Sequence, residues 1–146
     1  MNDLVGLIRR ESEVKQALGE LEKFRERAAA VTVSGGRAYN PGWHVALDLR
    51  NMLLVAECVA LAALERQESR GGHTREDFPA MDPKWRQVNL VCSLAGDEVS
   101  LTHQPVPTMR PELLALFDKT EMAKYLTAEE MADFDAAVAA ARKDDN

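Results

Sequence analysis

The chain has little cysteine and no surplus of positive charge, and each shortage removes a class of protein. Its two cysteines among 146 residues, Cys58 and Cys92, lack the Cys-x-x-Cys spacing of a metal clip or a redox motif. Both stand in apolar stretches and read as buried free thiols, which suits a reducing cytoplasm. With 18 Lys and Arg against 24 Asp and Glu, the net charge of -6 has the wrong sign for a nucleic-acid backbone or an anionic membrane surface. No nucleic-acid partner is therefore expected. The longest apolar window, Met52 to Leu64, is broken by Glu57 and flanked by Arg50 and Glu65. It falls short of the roughly 20 apolar residues of a membrane span, so no direct membrane insertion is expected. Met1-Asn2-Asp3-Leu4 carries no charged leader ahead of an apolar stretch, and no export signal is expected.

Catalytic signatures are missing as well. There is no Gly-x-Ser-x-Gly elbow, and Gly35-Gly36 and Gly71-Gly72 make neither a dinucleotide fingerprint nor a phosphate loop. His44, His73 and His103 are too dispersed, even with the cysteines, for a recognisable zinc pattern. The expectation is a chain with no catalytic, cofactor-binding or metal-binding residues of its own.

What is present is helical patterning. Leu4, Leu7, Val14, Leu18, Leu21 and Ala28 recur at helical intervals and predict an amphipathic helix from Asp3 to about Ala30, stopped by the cluster Val31 to Gly36. Asn40-Pro41 marks a second start, with Asn40 able to cap free amides. That helix is expected to run to about Ser69, where Gly71-Gly72 would end it. Its middle is apolar around nearly the whole circumference, so it must be covered on more than one side. Trp43 and Trp85 adjoin apolar runs and read as core or interface packing.

Pro79 and Pro83 keep the next segment irregular. Alternation of Val88, Leu90 and Cys92, then of Val99, Leu101 and His103 about Gly96-Asp97, predicts a β-hairpin. Pro111 opens a short helix from Glu112 to Phe117. Thr127-Ala128-Glu129-Glu130 has capping-box spacing before an Ala-rich helix to about Arg142, with Lys143 to Asn146 as a frayed end. The fold class expected is mainly α: an antiparallel bundle of about three long helices, a small β-hairpin and additional C-terminal helices.

The most informative stretch is Glu68-Ser69-Arg70-Gly71-Gly72-His73-Thr74-Arg75-Glu76-Asp77-Phe78-Pro79, which gathers arginines, a histidine and acids about a double glycine. Two readings are open. His73 with Asp77 or Glu76 could act as a general acid/base pair, because a carboxylate orients imidazole and raises its proton affinity. Alternatively Arg70, His73, Arg75 and Asp77 are hydrogen-bonded braces that fix an irregular segment against a neighbouring surface.

From Tyr39 to Pro79 the sequence resembles the carboxy-terminal helical domain of the succinate dehydrogenase and fumarate reductase flavoprotein subunits, through the core Glu68-Ser69-Arg70-Gly71-Gly72-His73-Thr74-Arg75-Glu76-Asp77-Phe78. Gly72 departs from the alanine more common there. Met1 to Arg9 resembles the first helix of that domain, and Trp85 to Val106 its strand pair. The resemblance implies a domain over residues 1–106 and a C-terminal helical extension over 107–146. It also implies part of an FAD-dependent enzyme interconverting succinate and fumarate, with electrons passing to an iron-sulfur subunit. The FAD would be held by an upstream flavin-binding domain, and Arg70, His73, Arg75 and Asp77 would lie at the interface with it. The fragment would be inactive alone, and cytoplasmic, with any membrane association made through partner subunits. L-aspartate oxidase has a similar terminal domain. A free-standing helical interaction protein and a small metalloenzyme built on His73 are the readings outside this family.

Overall fold

The computed structural model describes residues 1–144, with side chains described through residue 140. It is mainly α-helical, and the chain forms two compact units, Met1–Gln104 and the part from Pro105 onward.

The first unit is built on two long helices, α1 (Glu11–Ala29) and α2 (Gly42–Glu65), and the third long helix of the chain belongs to the second unit. Val14, Ala17 and Leu21 of α1 meet Leu53, Ala60 and Ala63 of α2, with Val5 closing one end. The small Ala17, Ala60 and Ala63 side chains let the two backbones approach closely. Leu4, Leu18, Leu49, Ala56 and Leu64 extend this seam.

Helix α1 starts later than its periodicity suggested. Residues before it form a turn, Val5 N–H donating to Met1 O at 2.7 Å, and then β1 (Ile8–Arg9). Strand β1 pairs in parallel with β2 (Thr74–Arg75), Ile8 opposite Thr74 and Arg9 opposite Arg75. The carbonyls of Leu7 and Arg9 accept from Thr74 N and Glu76 N, so they are spent on a sheet ladder and not on a helix. Met1 to Arg9 is accordingly not a first helix.

Helix α2 starts as expected, Asn40 Oδ1 accepting from Gly42 N at 3.0 Å. It ends at Glu65, four residues early, where Arg66 turns extended. Gly71 does adopt a left-handed φ of 58°, but in the reversal Arg70–His73 beyond the helix; Gly72 does not. The β-hairpin forms as read, from β3 (Val88–Ala95) and β4 (Glu98–Pro105) about a left-handed Gly96. Ahead of it Pro83 opens a one-turn helix, α3 (Pro83–Arg86), with Asp82 accepting from Lys84 N at 3.0 Å. That segment is therefore less irregular than its prolines implied.

The second unit holds α4 (Pro111–Leu114), α5 (Lys119–Met122) and α6 (Ala128–Asp144). The capping box forms: Thr127 N donates to Glu130 Oε2 at 2.8 Å, and Glu130 N to Thr127 Oγ1 at 3.3 Å. Helix α5 was not foreseen, and Asp118 caps it. Helix α6 runs through Asp144, so the expected fraying at Lys143 is not seen there. The expectation for residues 145–146 lies outside the described residues. Among the described residues no helix is long and apolar enough to cross a membrane.

Candidate functional site

Between the end of α2 and the start of α3 the chain folds into a charged turn anchored on two fully buried ions, Glu68 and Arg75. A buried charge is tolerated only when it is paired and its hydrogen-bonding capacity is filled, and here both conditions are met.

Arg75 uses its whole guanidinium. Its Nε and Nη2 donate to Asp77 Oδ1 and Oδ2, each at 2.7 Å, and its Nη1 donates to the carbonyls of Ala63 at 2.8 Å and Leu64 at 2.9 Å. Those carbonyls belong to the last turn of α2, which has no helical donors left for them and carries partial negative charge. The same Asp77 carboxylate accepts from Glu11 N at 3.1 Å, capping the first turn of α1, where the partial charge is positive. One ion pair thus closes the C-terminus of one helix and the N-terminus of another. Hydrogen bonding from Arg75 holds the Asp77 carboxyl down to about 2, against the pull of burial.

Glu68 is the second anchor. Arg70 donates to it from Nε at 3.0 Å and Nη2 at 2.8 Å, Arg66 Nη1 at 2.7 Å and Asp82 N at 3.0 Å. Burial pushes this carboxyl up, but the bonds from Arg70, Asp82 N and Arg66 together bring it below its ordinary value. Ser69 ties the backbone between the anchors, its Oγ accepting from Arg75 N and lying 2.8 Å from the Phe78 carbonyl.

His73 meets no carboxylate. Its Nε2 is 3.1 Å from the carbonyl of Arg66, which can only accept, so Nε2 carries the proton. Its Nδ1 then accepts from Arg9 Nη1 at 2.6 Å. Burial lowers the imidazole below its ordinary value, and the charges of Arg9, Arg75 and Arg66 add to that. Glu76 pairs instead with Arg10, and Asp77 with Arg75. The acid/base pairs considered from the sequence are therefore not assembled; Arg70, His73, Arg75 and Asp77 each hydrogen-bond within the chain instead. Sequence reasoning missed Glu68 and Arg9 as members of the cluster. Glu68 was visible as an acid between two arginines; nothing local marked Arg9, which arrives through the β1–β2 pairing.

The nearest depression, about 660 Å³ and lined by Arg10, Glu11, Ser12, Lys15, Glu76 and Asp77, is open to solvent and does not include His73. It offers no water-excluded volume in which a base could work. Nor do the described residues form a dinucleotide cradle: the parallel strands β1 and β2 have two residues each, and Gly71-Gly72 lies in a reversal and not in a strand-to-helix turn. A flavin-binding turn of that kind is thus not formed among the described residues.

This arrangement defines a small helical domain whose charged turn is structural. The chain matches the family described as fumarate reductase flavoprotein C-term over residues 1–122. A Helicobacter pylori fumarate reductase flavoprotein subunit is 32% identical over 117 residues, covering 77% of this chain and 16% of that protein. A fumarate reductase (CoM/CoB) chain from Methanothermobacter marburgensis is 34% identical over 87 residues, 60% of this chain and 16% of its own length. The solved structure of Mycobacterium smegmatis Sdh1 in complex with UQ1 superposes with a TM-score of 0.80 at 53% identity, over 90% of this chain and 23% of that one. The chain belongs to the C-terminal domain family of the fumarate reductase and succinate dehydrogenase flavoproteins. It spans about a sixth of the length of these curated relatives.

Proposed function

We propose that the chain serves as the carboxy-terminal domain of an FAD-dependent enzyme that interconverts succinate and fumarate and passes electrons to an iron-sulfur subunit. FAD would be held by the upstream flavin-binding domain, and residues 1–106 would brace that domain while 107–146 form an extension. Arg70, His73 and Asp77 form the face toward it, with the fully buried Arg75 holding Asp77 in position from within the chain. Such a piece is inactive alone, and it is cytoplasmic, reaching a membrane only through partner subunits.

The observation that carries this reading is the exposed apolar stripe on α2. Val45, Met52, Val55 and Val59 recur on one side of the helix, Val45, Met52 and Val55 each more than 60% exposed. A helix with an apolar face toward α1 and another toward solvent has a second surface to bury. L-aspartate oxidases also match, one from Caulobacter vibrioides at 37% identity over 98 residues, 67% of this chain and 15% of its own length. The test is reconstitution: the chain is mixed with Mycobacterium smegmatis Sdh1 lacking its matching segment, then assayed with succinate. Association with succinate-dependent dye reduction is expected; no association, or association that restores no activity, overturns the assignment.

A further inference from the structure

The charged turn leaves Cys58 and Cys92 unused, and the fold brings them together from 34 positions apart. Cys58 is on α2 and Cys92 on β3. Cys92 Sγ lies 3.8 Å from the carbonyl oxygen of Cys58, which sets the two residues side by side. Both are free and half-buried. The hairpin is tied to the same helix a second time, through His103 Nε2 of β4 at 2.9 Å from Glu65 Oε1, so the pair does not meet through a single loose contact.

We propose that Cys58 and Cys92 form a reversible dithiol–disulfide site which, when oxidised, staples the hairpin to α2. A disulfide needs its Cβ atoms about 3.8 Å apart and an S–S bond of about 2.05 Å, and the Cys92 sulfur already lies against the backbone of Cys58. The oxidant is a low-molecular-weight disulfide of the glutathione class. One cysteine, as thiolate, attacks a sulfur of the small disulfide and expels a thiolate, leaving a mixed disulfide on the protein. The second cysteine attacks the protein sulfur of that mixed disulfide, forms the Cys58–Cys92 bond and expels the second small thiolate. The two protons lost by the cysteines end on the two released thiols; the protein is oxidised by two electrons and the small disulfide reduced by two. Burial, and then Cys92 beside it, raise the Cys58 thiol, so exchange quickens as pH rises. The closed loop encloses the whole charged turn.

The full chain is equilibrated with mixtures of reduced and oxidised glutathione, folded in buffer and unfolded in urea, and read by intact mass and by mapping the cross-linked peptide. The expected product has lost about 2 Da and carries a Cys58–Cys92 link, with an equilibrium constant at least ~10-fold more favourable folded than unfolded. An equal or smaller constant in the folded chain overturns the proposal, as does an end point of glutathione adducts or untouched thiols. Cys58→Ser and Cys92→Ser should each accumulate the mixed disulfide that the parent chain resolves; failure to do so counts against the site. Should either variant fail to fold, the folded-to-unfolded ratio of the parent chain still decides.

Discussion

Arg75 and Asp77, two positions apart, form a two-point ion pair at 2.7 Å whose outer edges close α2 and α1. Local chemistry and tertiary packing are the same bonds here, so one guanidinium–carboxylate pair ties both helix ends to the turn.

Replacing Arg75 removes two kinds of partner at once. Arg75→Ala leaves Asp77 and the last carbonyls of α2 without their donor, and should cost about 3–5 kcal/mol, the usual loss on breaking a buried pair. Arg75→Lys keeps the charge but not the fork, and should still cost about 2 kcal/mol. Urea unfolding midpoints measure both; a lysine variant as stable as the parent would mean that charge alone matters.

Asp77 makes stability depend on acid. Its carboxyl lies at about 2 when folded against an ordinary 3.8, so its contribution is complete above about pH 4 and is lost as pH falls toward 2. The loss should be roughly 1–2 kcal/mol, discounted for its partial exposure. Asp77→Asn should flatten that part of the stability–pH curve; an unchanged slope would contradict the pairing.

His73 works in the same direction at higher pH. Its folded value is below 6.5 because burial and the neighbouring Arg9, Arg75 and Arg66 oppose a positive ring, so stability is full above 6.5 and falls as acid protonates the unfolded chain first. Nitrogen NMR of the ring at neutral pH should show the neutral tautomer with the proton on Nε2. A charged ring, or the proton on Nδ1, would contradict the bond from Arg9.

The two glycines of the turn should respond differently. Gly71 has a φ of 58° with nothing near a built Cβ, so Gly71→Ala is strained by backbone conformation alone and should cost about 1 kcal/mol. Gly72 has no positive φ, and a Cβ there would meet Leu7 Cδ2 at an ordinary 3.8 Å. Gly72→Ala should change the thermal midpoint little or raise it slightly. Equal losses at both positions would show that the turn differs from the one described.

What could be read beforehand divides by the range of the interaction responsible. The hairpin was legible because two-residue alternation and Gly96-Asp97 are local signals, and so was the box at Thr127 and Glu130. The start of α1 was not, because the apolar spacing of Leu4 and Leu7 continues that of Val14, while the strand partner of Arg9 lies at Arg75. The end of α2 was misplaced because its last carbonyls are taken by the Arg75 side chain, which reaches back from beyond the turn. Helices α3 and α5 are too short for a period, though Asp82-Pro83 and Asp118 are readable caps. At the site, the bracing role of Arg70, Arg75 and Asp77 followed from their types. The neutrality of His73 did not, because it depends on Arg9.

The central claim is that the charged turn and the exposed face of α2 meet a flavin-binding domain. Hydrogen–deuterium exchange of the full chain, free and mixed with Mycobacterium smegmatis Sdh1 lacking its matching segment, tests it most directly. New protection over residues 66–82 and along Val45 to Val59 is the expected result; binding that leaves both stretches unchanged, or no binding at all, would contradict it.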